Sequence, residues 1–157
     1  MAITFYVPTS EIVYTGSFLT GGIASVSSEF SAIYNGDRCV DGNLGSRWQN
    51  VTGATFPHWW KYDLGGGVTK IVKKLRICGY PTNYGTNGFS LQGSNNNSDW
   101  DTLYTGNGTN ESGVVWMPDF FIDNSVTYRY YRMWITSNHG AATTDILVPE
   151  LEMMEIV

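Results

Sequence analysis

The stretch from Val40 to Asn50, VDGNLGSRWQN, carries more chemically capable residues than a surface turn requires. Asp41 offers a hard carboxylate oxygen, and Gly42 lets the backbone fold over so that nearby carbonyls point inward. Ser46 adds a hydroxyl and a carbonyl. A calcium ion takes about six to eight oxygens, many of them from the main chain. One acid gives too little charge for firm binding, but the C-terminal VPELEMMEIV supplies Glu150 and Glu152. Spacing alone cannot bring Asp41 and Glu150 together across so much chain. An Asp-Gly turn closed by its own side chain explains the same residues, so the residues alone leave both readings open.

Other chemistries find less support. A hydrolytic triad needs a histidine beside a nucleophile and an acid. His58, in ATFPHWWKYDLGG, and His139, in TSNHGAATTD, lie in no nucleophile signature such as GxSxG. Two cysteines and two histidines at wide, unpatterned spacing make a poor zinc set. DLGGGVTK lacks the GxxxxGK[ST] spacing and reads as a turn between strands. No enzyme is expected.

The elements that must position these residues are strands. YRYYRMWI, KKLRICGY and GFSLQGS repeat with a period of two, and DTLYTG, GVVWM and DFFID are shorter runs of the same kind. Asn- and Gly-rich turn signals separate them, as in an antiparallel sandwich or barrel. No sustained helical stripe is present. The 157 residues make one domain, with 1–22 as a looser arm or extra leading strand and 23–157 as the body. Trp59 and Trp60 read as core strand residues, and Cys39 and Cys78 as two separate small core residues.

Nine basic against fourteen acidic residues give a net charge of −5 without a basic stripe, which argues against nucleic acid as a partner. No apolar run is long enough to span a membrane, and MAITFYVPTSEIV resembles no signal peptide. A product made in the cytoplasm, built into a virion or other surface assembly, is the expectation. The sequons at Asn50, Asn96, Asn107 and Asn110 would then stay unused.

The ordered series ASVSSEFSAIYNGDRCVDGNLGSRW, WWKYDLGG, KKLRICGY, FSLQGSNNNSDWDTLY, YRYYRMWI and PELEMM resembles the discoidin, or coagulation factor V/VIII type C, domain. The resemblance runs from Ile23 to Val157 and is nearest the family 32 carbohydrate-binding modules. It implies an all-β fold, an eight-stranded jelly-roll (galactose-binding-like) antiparallel β-sandwich with binding loops at one end. It also implies a structural calcium ion. The ligands, carried over by position, are the carbonyl of Arg38, the side chain of Asp41, the carbonyl of Asn43, Ser46, the carbonyl of Pro149 and the carboxylate of Glu150. Ser46 stands where the family often has Thr, and Trp48 would pack beneath the turn. The end-to-end disulfide of the coagulation-factor branch has no counterpart, and no pair of exposed apolar spikes suggests membrane insertion. Those absences favour the sugar-binding branch.

Sugar sites set an aromatic face against the ring's C–H side while amides, His or Arg reach hydroxyls. GYPTNYGTNG offers Tyr80, Asn83, Tyr84 and Asn87; SNHG adds Asn138 and His139; TFPHWW adds His58. In the resembling modules these three loops share one end of the sandwich. The family's frequent arginine after LRI is missing here, where Tyr80, Pro81 and Thr82 stand. The expected function is a non-catalytic carbohydrate-binding or adhesion module with a glycan as partner. The rival is a structural or decorating subunit of a larger assembly, such as a phage virion, contacting other subunits or its own copies.

Overall fold

The computed structural model describes residues 11–140 and 144–157. Eleven strand segments occur among them: β1 Ile23–Val26, β2 Trp48–Gln49, β3 His58–Asp63, β4 Lys74–Gly79, β5 Gly88–Ser94, β6 Asp101–Asn107, β7 Val115–Trp116, β8 Phe120–Phe121, β9 Tyr130–Ile135, β10 Leu147–Val148 and β11 Leu151–Met154. Every pairing is antiparallel. One layer has the order β1-β3-β9-β5-β6; the facing layer is built from β11-β4-β7 with β8 also on β4, and β10 pairs β2. This is the antiparallel β-sandwich expected from the sequence. It is divided more finely than eight strands, because several segments are only two residues long.

Alternation explains the packing. Along β3, His58, Trp60 and Tyr62 face inward while Trp59, Lys61 and Asp63 face out. Across β9, Tyr131, Met133 and Ile135 face inward in the same way. They meet Leu75 and Ile77 of β4, Phe89 and Leu91 of β5, and Leu151 and Met153 of β11. Each such side chain contributes roughly 1.5–3 kcal/mol on burial. Trp60 is fully buried, but Trp59 is not the core residue expected. Neighbours on a strand point to opposite faces, so only one of the two tryptophans can enter the core.

Residues 1–10 of the arm lie outside the described residues. The rest of it runs along the free edge of β11. Thr15 N donates to the Glu155 carbonyl (2.9 Å), Phe18 N to that of Met153 (2.9 Å), and Val157 N to that of Val13 (2.9 Å). Leu19 is buried. Cys39 and Cys78 are separate buried thiols, and burial pushes both above the ordinary range, Cys78 to about 11.

The registers fix one end of the sandwich. His58 pairs Ile135, Phe89 pairs the same Ile135, and Gly88 pairs Asn107. The loops 50–57, 80–87 and 108–114, with residues 136–140 after β9, therefore emerge together. In the facing layer, Ile77 pairs Leu151 and Cys78 N donates to the Glu150 carbonyl (2.8 Å), which brings Glu150 to the same end.

Candidate functional site

The turn at Asp41 is held by its own groups. Gly42 takes φ +72°, a conformation that favours glycine. Asn43 N donates to Asp41 Oδ1 (2.9 Å), and Gly45 N to Asn43 Oδ1 (2.9 Å). Ser46 Oγ lies 2.9 and 2.8 Å from the two Asp41 carboxylate oxygens and 2.9 Å from the Asn43 carbonyl. One hydroxyl proton serves only one of these three contacts, so several oxygen lone pairs face a common point.

Glu150 closes the group from the other layer. Its Oε2 accepts from Gly42 N at 3.2 Å, and the residue is 5% exposed. Burial, then the Asp41 carboxylate, pushes the Glu150 carboxyl up to about 7. Arg38 Nη1 stands 3.4 Å from Asp41 Oδ2. No cluster of three or more His, Cys, Asp or Glu side chains forms among the described residues. The remaining donors to a hard cation would therefore be carbonyls and the Ser46 hydroxyl, which suits calcium better than a softer metal. Glu152 faces away and pairs with Arg76 at 2.7 Å.

The loop residues sort into two groups. Tyr80, Asn83 and Tyr84 share one rim; Asn83 is exposed and Tyr84 is 37% exposed. Thr82 holds φ +66° within the single turn Thr82–Tyr84 that presents them. His139 abuts this loop: a Cβ on Gly85 would stand 2.9 Å from the Tyr80 carbonyl and 3.6 Å from His139 Cδ2. A side chain on Gly140 would collide with Asn83. His139 Nε2 is buried with no hydrogen-bond partner among the described residues. Such groups are rare and call for a physical explanation.

The other three candidates brace the loops. Asn138 is buried, donates from Nδ2 to the Asp145 carbonyl (2.7 Å) and accepts from Gly140 N (3.0 Å). Asn87 is half-buried and bridges by its main chain to the Ser137 carbonyl and Gly108 N, both at 3.0 Å. His58 leaves the ligand set, because it shares the inward parity of Trp60 and is 1% exposed. Its Nε2 lies 2.8 Å from the Thr144 carbonyl, which requires a proton on that nitrogen. Beside it, Asn50 Oδ1 accepts from Ile146 N (2.6 Å).

Burial lowers the pKa of His58, with the Thr144 carbonyl opposing more weakly. The folded state then binds this proton less readily than the unfolded chain. His58's contribution to stability is complete above the unfolded value near 6.5 and is lost as pH falls through it toward the folded value. The limiting slope is about 1.4 kcal/mol per pH unit. Denaturant melts across this range should show a steeper acid loss for the wild type than for His58→Gln. Identical slopes would contradict the buried neutral imidazole.

Arg47 was not foreseen. Its guanidinium lies over the Tyr34 ring at 4.5 Å and beside the Tyr80 ring at 5.3 Å, and its Nε is buried with no hydrogen-bond partner among the described residues. The Asp41 turn thus sends an arginine to the loop that carries Tyr80. The only signal in the sequence was its place between Ser46 and Trp48: the turn faces one way and the core tryptophan the other.

A family model, the F5/8 type C domain, matches residues 23–147. No curated protein matches. Among solved structures, the chain is similar to the family 32 carbohydrate-binding module of Clostridium perfringens NanJ, solved with galactose. The TM-score is 0.74 at 16% identity, covering 91% of this chain and 100% of that one. It is also similar to chitosan-binding module 2 of a Paenibacillus sp. IK-5 chitosanase/glucanase, solved with chitotriose, at TM-score 0.68, 24% identity and 87% and 98% coverage. A third is the family 32 module of AlyQ, in complex with 4,5-unsaturated mannuronic acid, at TM-score 0.66, 20% identity and 83% and 92% coverage. These likenesses are of fold. With the family model spanning most of its length, this chain belongs to the F5/8 type C, or discoidin, domain family.

Proposed function

We propose that the chain is a non-catalytic carbohydrate-binding module whose glycan sits on the rim formed by Tyr80, Asn83, Tyr84 and His139, backed by Arg47. The observation that carries this reading is the pairing of an exposed tyrosine-and-amide rim with two buried side-chain nitrogens, Arg47 Nε and His139 Nε2, that have no partner among the described residues. Ligands of the similar modules, a galactose, a chitotriose and a uronate, support a sugar as the class of ligand. The Asp41 turn holds a structural calcium ion in this reading. Its donors are Asp41, Ser46 and Glu150, with the carbonyls of Arg38, Asn43 and Pro149. The ion pins the turn to the start of β11, and performs no chemistry.

Affinity per site is expected to be weak, roughly −4 to −8 kcal/mol, so adhesion would rely on several copies. A glycan array followed by titration of the best ligand tests the site. Tyr84→Ala and His139→Ala should each weaken binding about tenfold, the effect of losing one stacking or hydrogen-bonding partner. Unchanged affinity in both variants would refute the rim. A chain that binds no glycan but runs as a stable oligomer would favour the assembly-subunit role.

A further inference from the structure

The outward face of the five-stranded sheet carries an unusual row of side chains. Trp59 of β3 pairs Trp134 of β9, and in the next outward row Lys61 pairs Arg132. Gln92 of β5 follows Arg132 across the sheet. The Arg132 guanidinium lies 4.1 Å from the Trp100 ring centroid and 4.6 Å from that of Trp134, and Lys61 Nζ stands 5.5 Å from Trp59. All three tryptophans are half-buried. From β3 to β6 the row spans three strand spacings, roughly 14 Å.

Charge makes this face distinctive. Five of the nine basic residues, Arg38, Lys70, Lys74, Arg76 and Arg129, are in ion pairs. Lys61 and Arg132 meet no carboxylate among the described residues; they contact Asn97 Oδ1 (2.9 Å) and Gln92 Oε1 (2.8 Å) instead. Like charges directly opposite one another across an antiparallel pair are unfavourable. The acids at the border are engaged elsewhere: Asp63 by Arg129, Asp99 by Asn96 and Asp101 by Tyr128. Two adjacent cations in no ion pair among the described residues, Lys61 acting on the Asp63 carboxyl only more weakly than Arg129 does, are framed by three indole rings and match a ligand with apolar ring faces and a regularly placed carboxylate or sulfate.

We propose that this sheet face is a second binding surface, distinct from the loop rim, that takes an acidic polysaccharide chain. The rings stack on sugar faces, and Lys61 and Arg132 receive the anionic groups. Nucleic acid fits less well, since two cations in a chain of net charge −5 make no continuous phosphate track. The inference stands whether or not the loop rim binds sugar.

Affinity electrophoresis through polygalacturonate, with neutral galactan as control, tests it. The wild type should be retarded by polygalacturonate in a salt-sensitive way. Lys61→Gln and Arg132→Gln should each weaken retardation about tenfold, as for loss of a charged hydrogen-bonding partner. Lys73→Gln, which removes a cation just before β4 in the facing layer, should leave it unchanged. If Arg132→Gln unfolds the chain, Lys61→Gln decides alone. No retardation, full retention in Lys61→Gln, equal loss in Lys73→Gln, or tighter binding to oligothymidylate would each overturn the proposal.

Discussion

Replacing Trp48 by alanine should lower the unfolding free energy by about 3–5 kcal/mol, the range for deleting a buried tryptophan. Its ring is fully buried, and its Nε1 donates to the Ser28 carbonyl at 2.9 Å. Truncation therefore leaves a cavity and takes the donor from the Ser28 carbonyl. Trp48 also pairs Val148 across β2 and β10, two residues before Glu150. The damage should spread to the Asp41 turn, so calcium affinity should fall along with stability. For a domain whose total stability is about 5–15 kcal/mol, the variant approaches the folding threshold. Trp48→Phe, which keeps most of the packing, should lose less. Denaturant melts with and without calcium give both quantities. A loss under about 1 kcal/mol would mean the ring is not structural in the way its burial implies.

Calcium itself should have the second large effect. A ligand held only by the folded state at a hundredfold excess over its Kd stabilises by about 2.7 kcal/mol. In a domain of this size that raises the melting temperature by roughly 5–10 °C. Chelator should reverse the gain. Asp41→Asn and Glu150→Gln should abolish the calcium response, because each removes half of the acidic pair. In calcium-free buffer, Glu150→Gln should cost little, since it deletes a buried carboxylate facing Asp41 across Gly42. Retained calcium stabilisation in both variants would remove the ion from this turn.

How much of this was legible beforehand differs from residue to residue. Period-two alternation sufficed for β4, β5 and β9, because each has one face in the core. The same alternation, applied strictly to HWWKYD, would have sent His58 inward with Trp60 and Tyr62, and Trp59 outward. That signal was present and went unused. The meeting of Asp41 with Glu150 was different in kind. It depends on the pairing of β4 with β11 and on a hydrogen bond between Gly42 and Glu150, and neither leaves a local trace in the sequence. The family resemblance supplied that expectation; spacing did not. Arg47 was invisible for a similar reason, since Tyr34 and Tyr80 reach it from two separate loops. Contacts within one strand or turn follow from neighbouring residues. Contacts between loops follow from topology, which single residues do not encode.

The glycan rim is the centre of the account, and backbone amide shifts recorded during titration with the best array ligand probe it most directly. Perturbations should concentrate on residues 80–85, on His139 and Gly140, and on the Arg47 side chain, saturating with a single affinity. Shifts confined to other surfaces, with Tyr84 and His139 silent at saturation, would contradict it.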